Sequence, residues 1–226
     1  MTHMLFLFLE LPAFLFHYLI IRRLFHIKKA LFAHFVLLFV SSLIVVMVIF
    51  VGDWDNLPAT FLLYLAGIQY ACTDSRAKKF TLALMLSSTV FAGNIFMDNI
   101  LENYGNFWMM VLFRTLFSAL LYLLVQFWGP EKDTELGDSL WYLLLLLTLA
   151  PIGTILSIVL IPPMRAWGPP WLSHLCTALL LLALLSFIGL LWAIAVLSRQ
   201  RKLEQQSLYA EMNRQYYESM KQQHFE

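Results

Sequence analysis

Apolar residues run through the chain in seven blocks, each close to the length a helix needs to cross a hydrocarbon layer, with short polar punctuation between them. A bilayer core of about 30 Å takes about 20 residues of helix. On that ruler the pattern predicts about seven spans, at positions 4–21, 30–51, 57–72, 80–97, 107–128, 140–161 and 171–197. The third is the shortest. A six-span variant stays open if the first or the third is interfacial or re-entrant.

The pattern changes abruptly at Ser198. After Arg199, Arg201 and Lys202 the chain reads LEQQSLYAEMNRQYYESMKQQHFE, without a proline or glycine. Leu208, Tyr209, Met212, Tyr216 and Met220 crowd one side at helical spacing. Glu204, Glu211 and Glu218 recur every seven residues on another side, with Arg214 and Lys221 three residues after the last two. This predicts a solvated helix, 198–226, with a short apolar seam suited to pairing with a second copy. The expected architecture is therefore an all-α polytopic membrane domain, 1–197, continuing into a coiled-coil-like linker helix.

Composition agrees with the pattern. Of 226 residues, 61% are apolar and 13% charged, and the mean hydropathy of +0.74 excludes an ordinary soluble domain. The net charge of +1 matters less than where the charges lie. Arg22, Arg23, Lys28 and Lys29 follow the first block, Arg76, Lys78 and Lys79 the third, Lys132 the fifth, and Arg199, Arg201 and Lys202 the seventh. The alternate connections are nearly free of basic residues. By the positive-inside rule this predicts an outside N-terminus and a cytoplasmic C-terminal helix. The 129–139 loop, with one Lys among four acids, is neutral on this point. The first block lacks a basic leader and a small-residue cleavage site, so it is expected to stay as a span. Trp54, Trp108, Trp128, Trp141, Trp167 and Trp171 fall at block ends, where an aromatic belt would put them.

Ionisable groups inside spans are costly, so each is informative. Glu10 and Arg114 both lie roughly 10 Å below the outer surface, which predicts an ion pair between the first and fifth spans. Either it clamps two helices, or a ligand breaks or borrows it. His17 and His34 share a depth near the inner side and are expected to hydrogen-bond each other. Asn94 and Asp98, with the acidic, amide-rich outer loops, could receive a cationic or peptide ligand, and Trp167 and Trp171 could border the same outer pocket. Pro151, inside the sixth span, predicts a kink. Together with Leu208, Met212, Tyr216 and Met220, it is assigned to signal transmission.

Chemistry is sparse. There is no phosphate-binding glycine loop, no His-Glu-x-x-His pattern and no Gly-x-Ser-x-Gly elbow. Cys72 and Cys176 both sit in apolar runs, which argues against a disulfide framework or a cysteine metal site. His174 and Cys176 stand two apart on one helix and point in different directions, a poor arrangement for nucleophilic catalysis. No catalytic residue, metal site or cofactor is assigned within this chain.

The last span running straight into SRQRKLEQQ, followed by QYYESMKQQHFE, resembles the membrane sensor region of peptide-pheromone receptor histidine kinases of the accessory-gene-regulator type. It is also similar to the wider set of bacterial multi-span sensors with a GHKL-type ATPase domain. In that family the segment leads into an Arg-x-x-x-His-Asp-x-x-Asn-His phosphoacceptor pattern. Here His224 is followed by Phe225 rather than Asp, and no phosphoacceptor is assigned. The resemblance implies a homodimer in a bacterial cytoplasmic membrane, an extracellular ligand such as a short or cyclic peptide, and a kinase domain beyond this chain. ATP, Mg and a response regulator would belong to that domain, and no nucleic acid is expected. The other class left open is a small multi-span transporter or channel with an anchoring tail.

Overall fold

The computed structural model describes residues 2–46, 56–101, 107–130, 132–133, 136–160 and 170–223. Side chains are described over 9–46, 57–97, 108–130, 132–133, 136–157, 177–179 and 181–221. Among the described residues seven helices follow one another: α1 (Thr2–Leu24), α2 (Leu31–Val46), α3 (Asn56–Ala71), α4 (Arg76–Leu101), α5 (Phe107–Trp128), α6 (Asp138–Leu160) and α7 (Pro170–Gln223). They match the seven apolar blocks in order. Among the described residues the one β-type contact is an isolated antiparallel bridge between Ile27 and Cys72. Helix is what lipid demands of such a chain, because each turn satisfies its own backbone groups.

α4, α5, α6 and α7 are each long and apolar enough to cross a membrane, and α2 and α3 are shorter apolar helices of 16 residues. The outer surface is apolar too: Phe35, Phe39, Leu62, Leu116, Leu146 and Leu185 are among many large side chains left exposed. A surface this greasy suits hydrocarbon rather than water. The chain thus has membrane-protein character.

α4 is the hub. It packs against α2, α3, α5, α6 and α7, while α1 lies against α2 and α5. Nearly every described side chain of α4 is buried. Its sequence explains this. Ala83, Ala92 and Gly93 let neighbours come close, and its hydroxyls must face protein rather than lipid. The single Thr81 O–H is shared between the carbonyls of Ala77, at 2.9 Å, and Trp141, at 3.0 Å, the latter contact tying α4 to α6. A Cβ on Gly93 would come within 2.5 Å of the Phe117 ring, so the glycine leaves room for that ring of α5.

Trp141 corrects one expectation. It sits at the start of α6, yet it is fully buried rather than placed in an interfacial belt. Its position turns toward α4, where Thr81 meets its carbonyl. Trp108 and Trp128 are exposed at the two ends of α5, as a belt would have them. Trp54 and Trp167 lie outside the described residues, and so does the Trp171 side chain.

Candidate functional site

Two polar knots tie the bundle, one near each end. The first gathers the residues singled out for their depth. Arg114 on α5 meets Glu10 on α1, with Nη1 to Oε1 at 3.3 Å, and the side chains are 2% and 0% exposed. The same Nη1 donates to the Val46 carbonyl at 3.4 Å. Asn94 on α4 donates through Nδ2 to the carbonyls of Ile44 (3.2 Å) and Val45 (3.4 Å). A carbonyl has two lone pairs, so these donors add to any bond the backbone already makes. Glu10, Asn94 and Arg114 therefore come together, and what joins them is the last described turn of α2. Four helices meet there. The expected α1–α5 ion pair is present, and part of the hydrogen-bonding capacity of Asn94 and Arg114 is spent on backbone. Asp98 lies on the next turn of α4, with its side chain outside the described residues.

The second knot is formed by the α1–α2, α3–α4 and α5–α6 connections, which meet at the opposite end. Lys28 N–H donates to the Ala71 carbonyl and Thr73 N–H to the His26 carbonyl, both at 2.9 Å. This pins the first two connections together. The carboxylate of Asp74 then accepts the His26 backbone N–H at 2.7 Å, faces His26 Nδ1 at 3.0 Å and accepts Lys78 Nζ at 2.6 Å. His26 Nε2 faces Asp133 at 3.0 Å, and Lys78 Nζ also donates to the Lys132 carbonyl at 2.6 Å. With a carboxylate at each ring nitrogen, His26 favours the doubly protonated imidazolium. Its hydrogen bond to Asp74, above all, raises its pKa against the opposing effect of burial. Burial alone would push the Asp74 carboxyl up, but hydrogen bonds from Lys78 and then His26 hold it below its ordinary range. Beside the knot opens a cavity of about 290 Å³, bordered by Lys132, Asp138 and Trp141.

Lys78 and Lys79 stood out in the sequence only as basic residues after the third block. Both are buried. Lys79 Nζ donates to the carbonyls of Gln69 (3.1 Å) and Cys72 (3.2 Å), a cation at the C-terminal end of α3 where the helix dipole favours it. The sequence reading missed His26, Asp74 and Asp133 altogether. The signal that could have found them was already in hand: alternating loops share an end, so their acids and bases must be considered as one set.

His17 and His34 do not bond each other. His17 Nε2 meets the Tyr64 hydroxyl at 3.1 Å, and His34 Nδ1 meets the Tyr18 hydroxyl at 2.8 Å. Successive residues on a helix point about 100° apart, so His17 turns to α3 while Tyr18 turns to α2. Depth matched, but direction did not.

The residues assigned to transmission are spread out. Pro151 is buried within α6, which remains one helix through it. Leu208, Met212, Tyr216 and Met220 are all exposed on α7, 60%, 57%, 60% and 40% respectively. α7 leaves the bundle at the second knot's end, where Arg199, Arg201 and Lys202 share a cleft with Arg23 and Asp133.

Comparison of the chain with family models, curated proteins and solved structures gives no match. Function must be argued from the geometry.

Proposed function

We propose that this chain is the membrane part of a signalling receptor, and that α7 is its transmission element. The observation that supports this is the continuity of α7. A helix of 54 residues is about 80 Å long, against a hydrocarbon core of about 30 Å. Its inner half is packed: Ala183, Phe187, Ile194 and Ala195 are buried, and α6 and α4 lie alongside. From Arg199 to Lys221 every described residue is exposed. An isolated helix of that size is marginal in water, so the exposed apolar side chains call for a partner. The partner in this reading is the same segment of a second copy, joined along Leu208, Met212, Tyr216 and Met220.

On this reading all seven helices span the membrane, with the N-terminus outside and the tail in a bacterial cytoplasm, following the loop lysines and arginines. The ligand, a short or cyclic peptide on the family resemblance, meets the outer ends of the spans. There it shifts the packing around Glu10, Asn94 and Arg114. Because α4 touches both that knot and α7, a shift of α4 reaches the tail through direct contact. The output is a histidine kinase of the accessory-gene-regulator sensor type.

Single cysteines at positions 204–220, in a Cys72→Ser/Cys176→Ser background, test the pairing in membranes. Crosslinked dimers should peak at 208, 212 and 216, once per helical turn, and ligand should move the phase. Uniform or absent crosslinking sinks the dimeric transmission helix.

A further inference from the structure

The cleft at the root of the tail has a chemistry that the signalling reading does not use. We infer that Arg23 of α1 together with Arg199, Arg201 and Lys202 of α7 forms a binding site for the phosphate of an anionic lipid headgroup. The four cations come from two helices far apart in sequence and line one cleft of about 250 Å³. Among the described residues one carboxylate, Asp133, shares it, and that group already faces His26 Nε2. Among the described lining residues the balance of charge is therefore positive.

A simpler explanation covers only part of this. Arg23 lies in the last turn of α1, where a cation complements the helix dipole. Arg199, Arg201 and Lys202 lie deep inside a continuous helix and have no terminus to complement. Nor does cytoplasmic retention of basic residues require them to converge with a fourth cation from another helix.

The place of the cleft selects the anion's source. Phe127, exposed to 70%, forms part of its wall at the end of α5, beside the exposed Trp128. The buried Ala195 lies one turn back along α7. The cleft thus straddles the boundary between apolar span and solvated tail, the level at which headgroup phosphates lie in a bilayer. Arginine suits such a ligand, since its planar fork meets two phosphate oxygens at once. The inference uses the membrane placement of the bundle and is independent of the sensor reading, since binding is read without any signal.

Native mass spectrometry of the purified, delipidated full chain tests it, with phosphatidylglycerol, phosphatidylcholine and inorganic phosphate as separate probes. The native chain should retain phosphatidylglycerol in preference to the other two. Each cation near an anionic surface contributes about 5-fold in affinity, so Arg199→Gln/Arg201→Gln should weaken retention about 30-fold and Arg23→Gln about 5-fold. All three residues are at least partly exposed, so the fold should survive, with helix content as the check. Arg214→Gln/Lys221→Gln, which removes the same charge farther along the tail, should leave retention unchanged. Equal retention of phosphatidylcholine, equal binding of free phosphate, or equal losses in the two double variants would each overturn the site.

Discussion

The two knots use the same chemistry in opposite surroundings. Around Glu10 and Arg114 the ion pair is sealed, with both side chains essentially without solvent contact where α1, α2, α4 and α5 meet. Around Asp74 a buried carboxylate, 4% exposed, reaches outward to His26, 44% exposed, and through it to Asp133 at 89%. A sealed pair has no water to fall back on, so removal of one partner leaves the other buried without its ion pair. An open cluster grades from protein into solvent, so pH and salt can adjust it. The first is a fixed fastening between helices, the second an adjustable one between loops.

The largest effect should come from breaking the sealed knot. Glu10→Ala or Arg114→Ala should each cost about 3–5 kcal/mol, or prevent folding, because a buried charge loses its ion-pair partner. Glu10→Met/Arg114→Met should recover most of that loss, since no charge remains to be stranded. Thermal unfolding in detergent, followed by tryptophan fluorescence, measures both. A double variant no better than the singles would show that the pair does more than satisfy itself.

Next comes Asp74→Asn, which keeps the shape but removes the charge shared by Lys78 and His26. A hydrogen bond to a charged group is worth about 1.5–3 kcal/mol, so a loss in that range is expected. Trp141 borders the adjoining cavity, and its emission should redden as water enters.

The smallest effect is titration. A His26 pKa raised in the folded state stabilises fully below 6.5, and that stabilisation is lost as pH rises through the raised value. A depressed Asp74 pKa stabilises above 3.8, and that is lost as pH falls through the lower value. The second knot is therefore tightest between these limits, and Tm should decline slightly on going from pH about 6 to about 8. His26→Asn should flatten that slope, and added salt should reduce it by screening the exposed Asp133 contact. If Glu10→Met/Arg114→Met changes the slope instead, the contrast between the knots fails.

Much of this arrangement was legible in the sequence, and the failures share a cause. Hydropathy placed all seven helices because block length is a one-dimensional quantity. Equal depth found Glu10 and Arg114 because an unpaired charge in lipid is so costly that two at one level must meet. Depth carries no azimuth, however, and azimuth decides whether His17 meets His34 or Tyr64, and whether Trp141 faces lipid or α4. The central place of α4 was marked by Ser87, Ser88, Thr89 and Asn94, polar residues too many for one protected face. The burial of Lys78 and Lys79 was not legible, because topology rules count lysines without asking what each Nζ touches. The receptor reading belongs to a different order of inference: it rests on α7 and on a resemblance, and the crosslinking phase is its measure.

The unbroken course of α7 has a mechanical consequence. Beyond Ser198 the helix extends about 37 Å to Gln223, so a tilt of about 5° at its root swings the far end by about 3 Å. It is a lever whose gain grows with every turn. It is also a phase keeper, because each added residue turns whatever is attached by about 100°. One alanine inserted near Gln206 would turn the end of the rod to a new heading with almost no change in reach. Seven would restore the heading to within about 20° and lengthen the arm by about 10 Å. Reach and heading could thus be set separately in this tail, simply by counting residues.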